Sequence, residues 1–147
     1  MERIIVAVDQ SDASLRAVDL AAEIAGKYSA SLLLLTVVSG VFRPDPGIEA
    51  FANIEHIKEP AITLAIEGVR NGLSEVRNRA IARGAQNVSV EVLIGDAAEE
   101  ILGNAKSGHL DLIVLGRRGH SRLVGLLLGS VTQKVVALAT CPVLVVH

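Results

Sequence analysis

The sequence predicts an α/β fold: an open five-stranded parallel sheet in the order 3-2-1-4-5, with helices on both faces. Three observations lead there. Short apolar runs alternate with stretches of helical periodicity, β-α-β-α-β-α-β-α-β, which argues for parallel strands joined by crossover helices. Half of the 147 residues are hydrophobic and mean hydropathy is +0.47, a content that suits a sheet buried on both faces. Finally, a glycine-bearing loop after the fourth strand, Gly116-Arg117-Arg118-Gly119, would face Asp9 at the end of the first strand across the switch point of that order. The alternative order 2-1-3-4-5 is also common for such chains, and the pairing of loop and Asp9 favours 3-2-1-4-5.

The elements follow in order. Ile4-Ile5-Val6-Ala7-Val8 is a fully buried type of strand. It ends at Asp9-Gln10-Ser11-Asp12, where Ser11 or Asp12 can cap a helix carrying Leu15, Val18, Leu20, Ala21, Ala22, Ile24 and Ala25. Gly26 is expected to stop that helix. Ser31 to Val38 is the second strand. Gly40 to about Ile57 is an irregular insert with Pro44, Pro46 and Gly47. A long helix from about Pro60 to Arg83 closes at Gly84, and Val88 to Ile94 is the third strand. Asp96 with Glu99 forms a capping-box pattern for a helix that ends near Lys106 to Gly108. Leu110 to Leu115 is the fourth strand. Ser130 with Gln133 offers a second capping box, for a helix that Thr140-Cys141-Pro142 ends, and Val143 to Val146 is the fifth strand. The length fits one domain spanning 1–147, with about 40–57 as a flexible insert.

Composition excludes several classes. Net charge is −2 without a basic block, and aromatics are confined to Tyr28, Phe42 and Phe51, so neither electrostatic nor stacking recognition of nucleic acid is expected. No apolar run approaches the roughly 18 residues of a membrane span. Met1-Glu2-Arg3 leads straight into a strand, with no signal-peptide pattern. The single Cys141 cannot form an intrachain disulfide, which points to a reducing, cytoplasmic setting and to a small buried hydrophobe. His56, His109, His120 and His147 show no metal spacing.

The chemistry concentrates in Gly116-Arg117-Arg118-Gly119, followed after nine residues by Gly129-Ser130-Val131-Thr132. Glycines let backbone amides turn toward a ligand, and a helix start adds free N–H groups and the positive end of the helix dipole. Such parts hold phosphate. A P-loop is excluded because Leu128 precedes Gly129-Ser130 and the nearest lysine, Lys134, lies inside the helix. The dinucleotide fingerprint belongs after the first strand with an acid about 20 residues on, and the second strand here ends Val37-Val38-Ser39.

The pattern Gly-2x-Gly-9x-Gly-Ser resembles the nucleotide motif of the universal stress protein family. The likeness extends to Ile4-Ile5-Val6-Ala7-Val8-Asp9-Gln10-Ser11, to Asp111-Leu112-Ile113-Val114-Leu115-Gly116, and to the tail from Gly119-His120-Ser121 through Gly129-Ser130-Val131, Gln133-Lys134-Val135 and Cys141-Pro142-Val143-Leu144-Val145-Val146. It is weakest from Gly40 to about Ala85. The resemblance implies a Rossmann-like sheet of the adenine nucleotide alpha hydrolase type, a role in stress response, and the ATP-binding branch of the family. Carried over by position, Gly116, Arg117, Gly119, Gly129, Ser130, Val131 and Thr132 would surround the phosphates and ribose. Asp9 and the backbone at Ala7 and Val8 would meet ribose and adenine, and Val37 would pack on the base. ATP or another adenine nucleotide is the implied ligand, with Mg²⁺ as its companion ion.

Plainer roles stand beside these. Asp9 at a strand end can accept ribose hydroxyls or cap the first helix. The Ser130 hydroxyl can cap Gln133 or turn to phosphate, Val37 can be core, and Thr132 an ordinary first-turn residue. Arg117, Arg118 and Arg122 can neutralise phosphates or face water. No catalytic set is apparent: Asp9 and Asp12 are the acids near the crevice, and neither has a partner base. A binding module is therefore expected, with at most slow hydrolysis; a hydrolase or phosphotransferase, and an interaction module with a vestigial site, are the alternatives. The insert at 40–57 is the candidate lid. The fifth strand is a sheet edge, and Val143-Leu144-Val145-Val146 carries no protective charge, so pairing with its own copy in a homodimer is expected. The resemblance implies the same strand.

Overall fold

The computed structural model describes residues 1–38, 58–107, 109–119 and 128–147, with the backbone alone for 58–65. Strands β1 (Arg3–Ala7), β2 (Ser31–Val38), β3 (Asn87–Ile94), β4 (Leu112–Gly116) and β5 (Val143–Val146) alternate with helices α1 (Asp12–Tyr28), α2 (Lys58–Ala82), α3 (Ala97–Ser107) and α4 (Ser130–Leu138). All pairings are parallel and the order is β3-β2-β1-β4-β5, as the sequence predicts. The insert expected at 40–57, with Phe42, Phe51 and His56, lies outside the described residues, as do His120 and Arg122.

Successive strand side chains point to opposite faces, so each central strand feeds two cores. Ile4, Val6, Leu32, Leu34, Leu112 and Val114 face α1 and α2, while Ile5, Leu35, Ile113 and Leu115 face α3 and α4. Burial on both faces explains why these strands are apolar without polar alternation. Each fully buried Ile or Leu contributes about 1.5–3 kcal/mol.

Helix α1 meets the sheet through Ala17, Val18, Ala21, Ala22 and Ala25, all essentially buried. Small side chains let its axis come close. Leu20, expected on the inner face, is instead exposed. Ser11 is the cap: its hydroxyl accepts from the Ser14 N–H at 3.2 Å. The stop expected at Gly26 is displaced, because α1 runs on to Tyr28 and turns at Ser29 in the left-handed region. Gly26 serves packing instead; a Cβ there would stand 2.5 Å from the Gly84 carbonyl oxygen. Gly84 itself, at φ 109°, closes α2 in a Schellman arrangement, with Gly84 N–H donating to Ile81 and Ala85 N–H to Ala80. Asp19 on α1 takes a two-pronged grip from Arg79 of α2, at 2.6 and 2.8 Å, and a further bond from Arg83. That grip holds the Asp19 carboxyl below its ordinary 3.8.

At the amino end of the sheet, Asp111 receives the N–H groups of Glu2 and Arg3, fixing β1 beside the start of β4. β4 begins at Leu112, two residues later than expected, although the Asp111 N–H already donates to the Arg3 carbonyl at 3.0 Å. Among the described residues no helix is long and apolar enough to cross a membrane.

Candidate functional site

The carboxyl ends of β1, β2 and β4 border a crevice reached also by the first turns of α1, α3 and α4. Ala7, Val8, Asp9, Val37, Gly116, Gly119, Gly129, Ser130, Val131 and Thr132 line it. Ten of the eleven sequence-derived candidates thus converge. Arg117 is the exception. Its guanidinium contacts His147 Nδ1 at 2.9 Å, away from the crevice, and its neighbour Arg118 lines the wall.

Each wall has a local cause. Gln10 adopts left-handed backbone, φ 63°, a conformation that costs an L-residue about 1–2 kcal/mol. The bend folds Ser11 back onto Asp9, whose Oδ1 accepts from the Ser11 N–H at 3.0 Å and its hydroxyl at 2.5 Å. The carboxylate therefore stands at a fixed angle, with Oδ2 aimed at Gly119; a Cβ on Gly119 would collide with it. Ser11 does the capping of α1, which leaves the second oxygen of Asp9 turned across the crevice.

Gly116 is bare for another reason. A Cβ there would be 2.9 Å from both Ala13 C and Ser14 N, so this glycine admits the first turn of α1. Its carbonyl accepts the Thr132 hydroxyl at 2.9 Å, and Thr132 is buried. Thr132 thereby ties α4 to the end of β4, its hydroxyl proton given to Gly116.

The start of α4 departs from the expected capping box. Gly129, not Ser130, is the N-cap, in extended conformation with no side-chain cap bond, and Gln133 N–H donates to the Gly129 carbonyl at 2.9 Å. Ser130 is the first helical residue. The first turn of α4, with its amides and the positive end of the dipole, therefore borders the crevice without a side-chain cap from Gly129. Gly129 N–H is held by the Arg117 carbonyl at 2.9 Å, which sets the two arms of the glycine motif side by side.

Part of the crevice lining is apolar. Leu35, Val37, Leu115, Val131, Ala97 and Ile101 make it up. Ala97 and Ile101, both on α3, escaped sequence reasoning. Their signal was topological: the connection from β3 to β4 must cross β2 and β1, which carries the first turn of α3 past the strand ends. Leu35 accepts from Val8 N–H at 2.8 Å, so Val37, two residues on, turns its N–H and C=O to the same side, beyond the end of β1. Asp96 caps α3 through the Glu99 N–H at 3.0 Å, half of the expected capping box; the Glu99 carboxylate goes instead to Lys134 of α4 at 3.2 Å. The bond from the Glu99 amide, reinforced by Lys134, lowers the Asp96 pKa from 3.8. Cys141 is half-buried against the α3–α4 core, and desolvation raises its thiol pKa. Among the described residues no group of three or more His, Cys, Asp or Glu side chains is placed to hold a metal ion.

The chemistry on offer is recognition: an apolar slot for a flat ring, a carboxylate for hydroxyls, and open amides beside Arg118 for phosphate. Comparison with known proteins agrees with this layout. A sequence profile described as the universal stress protein family matches residues 1–147. The protein called universal stress protein YxiE of Bacillus subtilis is 36% identical over 147 residues, covering 99% of this chain and 98% of its own. Among solved structures, universal stress protein UspA from Lactobacillus plantarum superposes with a TM-score of 0.83 at 27% identity, covering 99% of this chain and 97% of that one. A universal stress protein crystallised in complex with cAMP superposes with a TM-score of 0.72 at 30% identity, covering 99% and 96%.

Proposed function

We propose that this chain, which belongs to the universal stress protein family, is a nucleotide-dependent regulatory module of the stress response that holds ATP in its crevice. The observation that carries this is the start of α4, a helix N-terminus without a side-chain cap that opens beside Gly119 and Arg118. An anionic phosphate is a fitting acceptor for those amides, and the site is worth most to a ligand bearing several negative charges. The apolar slot takes the base, and the Asp9 carboxylate accepts ribose hydroxyls. The N–H and C=O of Val37 suit the adjacent acceptor and donor on the edge of adenine. The relative solved with cAMP supports an adenine nucleotide as the ligand class; the resemblance to the family's ATP-binding branch is what favours ATP within it.

Mg²⁺ would travel with the phosphates. Asp9 Oδ1 is already engaged by Ser11, so the ion would be held by phosphate oxygens and water, as Mg²⁺ commonly is. Binding that alters a conformation or an interface is the function we assign. The setting we propose is the cytoplasm, and the assembly a single-domain chain paired with its copy through Val143 to Val146 of β5. The exposed Val136 and Leu138 on neighbouring α4 would widen that interface.

Isothermal calorimetry with ATP tests the central point: saturable heat is expected, and its absence with Gly116, Gly119 and Gly129 intact would overturn it. Steady ADP release by pure protein, lost in Asp9→Ala, would replace the regulatory reading by a hydrolase. Sedimentation at micromolar concentration is expected to give a dimer, and monomer alone would remove the β5 pairing.

A further inference from the structure

Two helices meet over the apolar slot: α4, which the glycine motif opens, and α3, which lies outside that motif. α3 supplies Ala97 and Ile101, and α4 supplies Val131. Their outer turns are joined by a three-membered ion cluster: Lys134 Nζ lies 3.4 Å from Asp96 Oδ1 and 3.2 Å from Glu99 Oε1. Asp96 precedes Ala97 directly, and Lys134 is one helical turn beyond Ser130. The cluster therefore sits on the backbone segments that carry the slot's two walls.

We propose that Lys134 is a positioning residue for the base: by bridging Asp96 and Glu99 it sets how far α3 stands from α4 and hence the width of the adenine slot. The inference rests on the proposed placement of the base between these helices.

The physics fits a positioning role. Lys134 stands one turn into α4, past the amides of its first turn, and reaches across to α3. Two acids on α3 answer it, and both lie in or at the first turn of α3, where they also favour that helix's dipole. The same Asp96 oxygen that caps α3 accepts from Lys134, so the bridge acts on the segment whose next residue lines the slot. The partners are about half exposed, with side-chain exposure of 40% for Lys134 and 54% for Asp96, so the effect is modest in size. Deeper packing of Ile101, Ala105 and Val135 holds the helices together without it, so loss of the bridge should move the slot and spare the fold.

The test uses the whole chain and two ligands, ATP and adenosine. Adenosine carries no phosphate and reports the slot alone. Lys134→Met is expected to weaken adenosine and ATP by the same factor, about threefold, as fits two exposed ion pairs. Lys134→Glu, which sets a third acid against the other two, should weaken adenosine about tenfold. Lys134→Arg should stay within about twofold of wild type, and Lys134→Glu with Glu99→Lys should recover most of the adenosine loss. A structural role alone would shift the melting temperature without this pattern of rescue. ATP weakened with adenosine unchanged would overturn the proposal by assigning Lys134 to the phosphates. Wild type that binds ATP but not adenosine would also overturn it, because the slot would then contribute nothing. Wild type that binds neither would instead remove the nucleotide reading on which the inference stands.

Discussion

Replacing Gly119 by alanine isolates the geometry between the two halves of the site. The new methyl would occupy the place of Asp9 Oδ2 and come within 3.4 Å of its Cγ. A free carboxylate would rotate aside at little cost. This one is held by Oδ1 to the Ser11 N–H at 3.0 Å and its hydroxyl at 2.5 Å, so turning away breaks at least one charge-assisted bond. The displaced carboxylate no longer meets a ribose. A hydrogen bond to a charged group is worth about 1.5–3 kcal/mol, which translates into roughly a tenfold to hundredfold weaker Kd for ATP. Calorimetry with ATP and 2′-deoxy-ATP on wild type and Gly119→Ala separates this from a general loss. Wild type should prefer the ribonucleotide, and the variant should lose that preference while binding the deoxynucleotide nearly as before. A variant that keeps both its affinity and its preference for ATP would refute the assignment of Asp9 to the ribose.

The other glycines should respond differently. Gly116→Ala drives a Cβ into the Ala13–Ser14 backbone and should destabilise folding by about 1–3 kcal/mol, read as a lower urea midpoint. A Cβ at Gly129 meets its nearest neighbour, Arg118 Cα, at 3.5 Å, so Gly129→Val should keep the fold yet screen the α4 amides and cost more than about tenfold in ATP affinity; retained affinity would mean the phosphates lie elsewhere. Arg118→Ala should weaken ATP about tenfold and Arg117→Ala less than about threefold, since only Arg118 lines the crevice while Arg117 reaches His147; equal losses in calorimetry would contradict the placement. The Asp19 pKa is depressed by Arg79, so its contribution is complete above 3.8 and fades as pH falls through the lower folded value. Asp19→Asn should therefore be less stable than wild type by about 1 kcal/mol near neutral pH, with thermal melts converging in acid.

Much of this was legible from residue pattern. The runs at Ile4–Val8, Leu32–Leu35 and Val143–Val146 are strand-sized and apolar throughout, which calls for cover on both faces. The glycine spacing from Gly116 to Gly129 marks a loop that turns into a helix. Local pattern misled at helix ends. Gly26 looks like a terminator, but its missing side chain answers the Gly84 carbonyl, a contact made across more than fifty residues of chain. Ser130 with Gln133 looks like a capping box, yet Gly129 takes the cap because its N–H is held by Arg117 and its carbonyl by Gln133.

By itself the sequence determined the parallel α/β class, the strand order, the loop that would face Asp9, and membership in a family with a recognisable glycine motif. These depend on periodicity, chain direction and short spacings, which are properties of neighbouring residues. Only the tertiary structure decided which of two adjacent arginines lines the crevice, which Thr132 atoms are spent on Gly116, why each glycine is bare, and that Ala97 and Ile101 of α3 complete the apolar slot. Those outcomes are distances between segments far apart in the chain. They depend on how helices pack across a shared sheet, where a single side chain's direction is settled by neighbours that its own sequence context does not contain.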